Sequence, residues 1–164
     1  LEEAMQHELE KLGPVAFDDS DDAFAREIQA TLTAADIDTT FKRIGAKPVK
    51  GLALCDFVAP LDRSSEGGEG STDVGDVSWA VPTVQARVAT CAIGTPFHTW
   101  QTVAQGKAPA AHKGMIYAAK AMAATACRLV ENQSLIDAAR ETHEDHLEQT
   151  PYTCPIPDDV RPPV

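Results

Sequence analysis

The chain has 164 residues, of which 43% are hydrophobic, and its formal net charge at pH 7 is −11. This length and composition are typical of one globular domain, and the acidic balance argues against a nucleic-acid partner, since phosphate binding requires a basic surface. No apolar run approaches the roughly 18 residues of a membrane-spanning helix, which argues against a membrane protein. The four cysteines stand far apart without a CxxC pair, so thiols of a cytoplasmic protein are expected rather than a disulfide framework.

Two amphipathic helices are predicted at the start of the chain. Apolar residues recur at helical spacing over 1–12, and a Gly-Pro pair ends the pattern. Four aspartates follow within 18–22, where free backbone N–H groups and the helix dipole favour acids at the start of a second helix over about 20–32. Helix capping is therefore preferred to a metal site for these aspartates.

Two strands are predicted in the middle of the chain, and they give it an α/β fold class with a few strands packed against helices. The segment 52–58 is apolar enough for a short strand, and 62–70 has the composition of a polar, glycine-rich loop. Side chains alternate over 84–93, which makes this segment the clearest strand, and a Gly-Thr-Pro sequence ends it.

Two longer helices are predicted in the second half. The first covers 114–131, and Ser134 caps the second, which extends to about residue 149. The tail over 151–164 contains five prolines and is expected to be irregular. The apolar stripe of the first helix is expected to pack on a sheet or another helix; its main residues are Met115, Ala119, Met122, Ala126 and Leu129.

Two histidines lie beside these elements. His98 follows the predicted strand in Gly-Thr-Pro-Phe-His-Thr-Trp, where proline and aromatic neighbours hold the loop, and its neutral imidazole suits zinc or manganese. His112 opens the long helix next to Lys113, which could pair with a carboxylate with help from the helix N-terminus. A packing or surface role is the alternative for each histidine, since one imidazole alone does not make a metal site.

Three other polar groups complete the set of candidates. Asp73 lies in Gly-Ser-Thr-Asp-Val-Gly-Asp, where glycines allow a sharp turn, and it could orient a ligand histidine or simply cap the turn. His143 and His146 are three residues apart on the last helix, whereas the zinc-protease motif HExxH requires a spacing of four. An exposed, solvated surface is therefore expected for these two histidines.

Four segments together resemble one known family. They are Gly-Ser-Thr-Asp-Val-Gly-Asp-Val-Ser-Trp (70–79), Pro-Phe-His-Thr-Trp-Gln (96–101), Ala-His-Lys-Gly-Met (111–115) and Tyr-Thr-Cys-Pro-Ile-Pro (152–157). In combination they are similar to the C-terminal part of the p-aminobenzoyl-glutamate hydrolase B subunit family, within the zinc aminoacylase and glutamate carboxypeptidase superfamily. The resemblance covers nearly the whole chain, and its motifs are specific only when taken together.

The resemblance implies a metal-dependent amidohydrolase. Such enzymes have an α/β catalytic domain with an inserted lid, two zinc or manganese ions with a bridging water, and a glutamate general base. The substrate would be an N-acyl amino acid amide such as p-aminobenzoyl-glutamate. The chain 1–164 would then be one partial catalytic domain, with a helical segment after the missing lid (1–32), a strand–loop–helix core (51–131) and an irregular tail (151–164).

The resemblance also implies roles for individual residues. His98 best matches the last metal ligand, with His112 as its competitor, and Asp73 matches an acid in a turn near the active site. Asp73, His112 and Lys113 are the candidates for binding the substrate or supporting the ligands. No catalytic base is assigned, so the chain alone is expected to be inactive and is expected to bind no tight metal. A homo- or hetero-oligomer is expected. The alternatives are a non-catalytic oligomerisation or interaction module, or a small acidic binding domain.

Overall fold

The computed structural model describes residues 1–61, 72–154, 156–157 and 159–161; the loop predicted over 62–70 lies outside them. Seven α-helices occur within these residues. They are α1 (Glu2–Leu12), α2 (Asp19–Gln29), α3 (Ala34–Arg43), α4 (Val74–Ala80), α5 (Trp100–Gln105), α6 (Pro109–Glu131) and α7 (Gln133–Gln149). No helix in this described part is both long and apolar enough to cross a membrane.

The predicted α/β fold class is wrong, because the described residues form helices and irregular segments without any β-strand. Neither 52–58 nor 84–93 has regular secondary structure. A strand needs a neighbouring strand to satisfy its backbone N–H and C=O groups. In the described chain no backbone–backbone hydrogen bond involves residues 84–91, so the alternating sequence pattern has no ladder to join.

A backbone hydrogen bond joins these irregular segments, from the Ile93 N–H to the Ala53 carbonyl at 2.8 Å, and two glutamine side chains hold them in place. Gln105 is only 3% exposed, and its Oε1 accepts a hydrogen bond from the Ala92 N–H at 2.7 Å. Gln29 donates from Nε2 to the carbonyls of Leu52 at 3.1 Å and Ile93 at 3.0 Å. Buried backbone groups left without partners would be costly, so these amides stabilise the loops against α2 and α5.

The first two helices begin within one residue of their predicted starts, although α2 ends at Gln29, three residues earlier than predicted. The capping interpretation of the aspartates is confirmed. The Asp18 side chain accepts from the backbone N–H of Asp21, and Asp21 accepts from the backbone N–H of Asp18, which is a reciprocal capping box. Thr33 and Asp36 form the same arrangement at α3. That helix was not predicted, although Thr-x-x-Asp is a helix-start signal.

Helix α6 begins at Pro109, five residues before the predicted start, because proline is well suited to the first helical turn. Its buried face carries small residues such as Gly114 and Ala121, while the predicted apolar stripe is exposed except at the half-buried Leu129. Met115 is 57% exposed and Met122 is 60% exposed. The described chain thus leaves one apolar face of its longest helix uncovered.

Helices α1 and α6 form the main helix pair of the structure. Tyr117 on α6 donates from its hydroxyl to the Gly13 carbonyl at 2.5 Å, just beyond the end of α1. Glu8 is buried on α1 and accepts from Arg128 Nη1 at 3.4 Å. A separate core joins α2 and the start of α6 to the irregular segments; its buried members are Ala25, Ile28, Ala53, Leu54, Ala92 and Ala110.

Candidate functional site

Asp73 immediately precedes α4 and is exposed to solvent. It occupies the N-cap position, yet its side chain makes no capping hydrogen bond. The cap is instead assisted by Thr72, whose Oγ1 accepts from the Val74 N–H at 3.3 Å. The carboxylate of Asp73 is therefore not committed to the helix that it starts.

His98 lies in a tight turn just before α5 and is exposed. Its backbone has φ 61°, in the left-handed region that histidine adopts more readily than most side chains. Two hydroxyls fasten the turn, because Thr99 and Thr102 donate to the Pro96 carbonyl at 2.8 and 2.6 Å. The expectation of a held loop is supported, and the role of His98 as a ligand stays a prediction.

An apolar groove of about 460 Å³ lies beside this turn. It is lined mainly by α1 and by the irregular segments 55–61 and 84–95, and Phe97, the neighbour of His98, also lines it. Its charged lining residues are Glu2, Arg43 and Arg87. An apolar groove with two arginines has the chemistry to receive an aromatic group attached to a carboxylate.

His112 and Lys113 lie near the start of α6 but differ in their surroundings. His112 is exposed. Lys113 donates from Nζ to Asp18 Oδ2 at 2.5 Å and to Asp21 Oδ2. Lys113 therefore pairs with carboxylates, but with two from α2 and its cap rather than with those of a substrate.

The buried member of this ion-paired cluster is Asp21, which is 3% exposed. Its Oδ2 accepts from Lys113 and from the Asp18 N–H, while its Oδ1 is buried and has no hydrogen-bond partner among the described residues. The hydrogen bond from Lys113 holds the pKa of Asp18 well below its ordinary value. The same bond to Asp18, followed by the bond to Asp21, raises the pKa of Lys113.

Replacing Lys113 with methionine should lower the thermal unfolding midpoint by about 5 °C at pH 7, because the buried Asp21 carboxylate loses its cation. The lowered pKa of Asp18 stabilises the fold above its ordinary value of 3.8, and this contribution is lost as the pH falls through the folded-state pKa. The raised pKa of Lys113 stabilises the fold below its ordinary value of 10.5, and this contribution is lost as the pH rises through the folded-state pKa. The difference between wild type and variant should therefore be widest from about pH 4 to 10.

Lys120 offers a matched control for this experiment. It is exposed on the same helix and forms no ion pair within the described residues. Lys120→Met should change the midpoint by no more than about 2 °C, as for most surface substitutions. Equal losses from the two substitutions at every pH would contradict the assigned role of the ion pair.

The described residues do not by themselves make a metal centre. No three of their histidine, cysteine, aspartate or glutamate side chains come together in a geometry that could hold a metal ion. Asp73, His98 and His112 are each exposed, and in this part of the chain no hydrogen bond or ion pair joins any two of them. By themselves the described residues therefore do not complete the two-metal site that the resemblance implies.

One cluster was missed by the sequence reasoning. Tyr152 in the tail donates from its hydroxyl to Asp76 Oδ1 at 2.7 Å, and its ring stacks on Trp79. His143 and His146, expected on a solvated surface, contact α4 through Ser78 and Trp79 respectively. The sequence offered one indication of this cluster, because Trp79 and Tyr152 belong to two of the four segments that carry the resemblance.

Comparison with known proteins relates the chain to one component of a hydrolase. It is 39% identical to the p-aminobenzoyl-glutamate hydrolase B subunit of Escherichia coli (strain K12) over 172 residues. This match covers 99% of the chain but 36% of the relative, so the chain spans only about a third of that protein's length. No protein-family model matches the chain, and no solved structure matches it. The similarity predicted from the four motifs is confirmed for this relative, and the superfamily stays a prediction.

Proposed function

We propose that this chain is the C-terminal portion of a hydrolase that cleaves N-acyl amino acid amides such as p-aminobenzoyl-glutamate. The observation that carries the proposal is the 39% identity over 99% of the chain to a protein named as the B subunit of p-aminobenzoyl-glutamate hydrolase. The groove beside His98 adds support, because apolar lining with Arg43 and Arg87 suits an aromatic acyl group joined to a carboxylate-bearing amino acid. In this proposal the protein acts in the cytoplasm.

The proposal gives the chain an incomplete share of the catalytic centre. His98 would supply one imidazole ligand to a divalent ion, zinc or manganese, since imidazole suits both, and His112 is the competing candidate. Asp73, with an uncommitted carboxylate, would orient the ligand or the substrate. The remaining ligands and the general base would come from outside the described residues, because these do not form a metal-binding group.

A non-catalytic interaction module is the second candidate function. It is favoured by the outward apolar face of α6, on which Met115, Met122 and Val130 are 57, 60 and 82% exposed. Large exposed apolar patches commonly mark contact surfaces. The relative's name, which describes a subunit, also accords with a protein that assembles as a homo- or hetero-oligomer.

The two functions are separated by comparing the 164-residue chain with the full-length product of its gene. We expect the full-length product to hydrolyse p-aminobenzoyl-glutamate with added zinc or manganese. The isolated chain should be at least about a hundredfold slower, since losing most of a metal centre costs more than losing one supporting contact. Release of p-aminobenzoate and bound metal per chain are the measurements.

The upstream gene sequence provides an independent check. It should encode a His-x-Asp or Cys-x-His segment and a Glu-Glu pair, the ligand and base types that the resemblance implies. A gene that encodes only these 164 residues, or a full-length product that forms stable oligomers without hydrolysing the amide, would favour the interaction module.

A further inference from the structure

The short helix α4 is joined to α7 and the tail by four side-chain contacts. The Tyr152 hydroxyl donates to Asp76 Oδ1 at 2.7 Å, and its ring lies 5.7 Å from the Trp79 ring at an interplanar angle of 25°. The other face of the cluster is formed by α7. His146 lies 5.1 Å from the Trp79 ring, and His143 Nε2 is 3.0 Å from the Ser78 carbonyl.

These side-chain contacts matter because α4 has no buried residue that would anchor it to the described structure. It has seven residues, and a helix of this length is not stable alone in water. Tyr152 contacts α4 at two points, the Asp76 carboxylate and the Trp79 ring, which lie three residues apart and hence on one face. Because Tyr152 contacts both Asp76 and Trp79, it restricts the rotation of α4 about its axis as well as its position.

The placement of α4 sets the placement of Asp73, which is the residue directly before it. We propose that Tyr152 is a positioning residue for Asp73, acting as a clamp that fixes α4 through Asp76 and Trp79. This inference rests on the proposed function, in which Asp73 contacts the ligand or substrate. The inference adds Tyr152 to the proposed function as a residue that touches no substrate and acts on Asp73 by positioning α4.

The two contacts of Tyr152 with α4 should persist across the neutral pH range. Donation of its hydroxyl to the Asp76 carboxylate raises the pKa of Tyr152, because ionisation would break the bond and place two negative charges together. The hydroxyl therefore stays protonated across neutral pH. Stacked aromatic rings supply the second point of attachment without any charge.

The first test measures the clamp without any assay of activity. Hydrogen exchange of the α4 amides in the 164-residue chain should accelerate at least about tenfold in Tyr152→Ala, because local opening no longer breaks these contacts. Tyr152→Phe should give a smaller acceleration, since it keeps the ring. Tyr117→Phe is the matched control, because Tyr117 is the other tyrosine of the chain and bonds Gly13. Unchanged exchange in Tyr152→Ala would overturn the clamp.

The second test uses the full-length enzyme and asks whether the clamp acts through Asp73. Tyr152→Ala should lower kcat about tenfold with a smaller change in KM, and Tyr152→Phe should recover most of the loss. In an Asp73→Asn background the same substitution should have little further effect, since the two residues act as one unit. Additive losses would overturn the positioning role, as would activity unchanged by Tyr152→Ala.

The two tests also separate this inference from the proposed function. A full-length protein without hydrolase activity would end the proposed function and the positioning role that rests on it. The exchange experiment would still decide whether Tyr152 clamps α4. Full activity in every Tyr152 variant of an active enzyme would end the positioning role alone.

Discussion

Replacing Gly114 with valine should destabilise the chain by about 3 kcal/mol, at the upper end of what overpacking costs in a protein interior. Gly114 is buried in α6 where the helix contacts the irregular segment 84–91. A Cβ atom there would fall well inside contact distance of the Ala89 carbonyl oxygen and 2.8 Å from Thr90 Cγ2. The carbonyl belongs to the backbone, so relief requires the helix and the segment to separate.

Gly75 provides the matched control, because it is also a helical glycine but has open space around it within the described part of the chain. There, a Cβ atom at Gly75 would meet nothing within 4 Å. Gly75→Ala should stabilise α4 by up to about 1 kcal/mol through helix propensity. Urea unfolding of the three proteins measures both effects. A Gly114→Val midpoint equal to that of wild type would show that α6 and the 84–91 segment are not in close contact.

The helices were predictable where one face carries a repeating apolar pattern. Helices α1, α2, α6 and α7 were found in this way, and the aspartates before α2 were correctly interpreted as caps. Helix α3 was missed, although Ile37 and Phe41 stand at helical spacing and Thr33 and Asp36 offered a capping signal. Local patterns of this kind survive in the structure because backbone hydrogen bonds within a helix need no distant partner.

The strands were wrongly predicted because a strand, unlike a helix, depends on a backbone partner elsewhere in the chain. Alternation over 84–93 describes which side chains share a face, but a strand exists only if another segment pairs with its backbone. In the described chain this segment makes one backbone hydrogen bond to the other predicted strand, from the Ile93 N–H to the Ala53 carbonyl, and at Gly114 it packs against a helix. The two glutamines that fasten the loops, Gln29 and Gln105, could not be assigned from sequence because their partners are tens of residues away or in irregular segments.

In the candidate site, too, local features were predictable from the sequence, whereas contacts between distant residues were not. The sequence singled out His98 as held in a turn, and the structure gives that turn a positive φ and two hydroxyl bonds. The sequence also indicated that Lys113 would pair with a carboxylate, but it could not identify the partner Asp21, which lies 92 positions away. The stacking of Tyr152 on Trp79 likewise joins distant segments. Spacing rules reach one or two helical turns, so such pairs appear only in the folded chain.

In the full-length protein, replacement of His98 should lower kcat/KM at least about a hundredfold while leaving the fold intact. Removing a residue that supports a metal ligand commonly costs ten- to a hundredfold, and the loss of a ligand should cost at least as much. The fold should survive because the ring is exposed. His98→Asn is the preferred variant, since asparagine tolerates the positive φ of this position better than alanine does.

His112→Asn is the matched substitution, because His112 is the competing candidate for the ligand role and is likewise exposed. If His98 is the ligand, His112→Asn should retain turnover within about threefold, the scale of a lost peripheral contact. Zinc or manganese bound per chain should fall with His98→Asn and not with His112→Asn. The opposite pattern would transfer the ligand role to His112. Full activity and full metal content in both variants would remove both histidines from the site, because a metal centre cannot lose a ligand and keep its affinity.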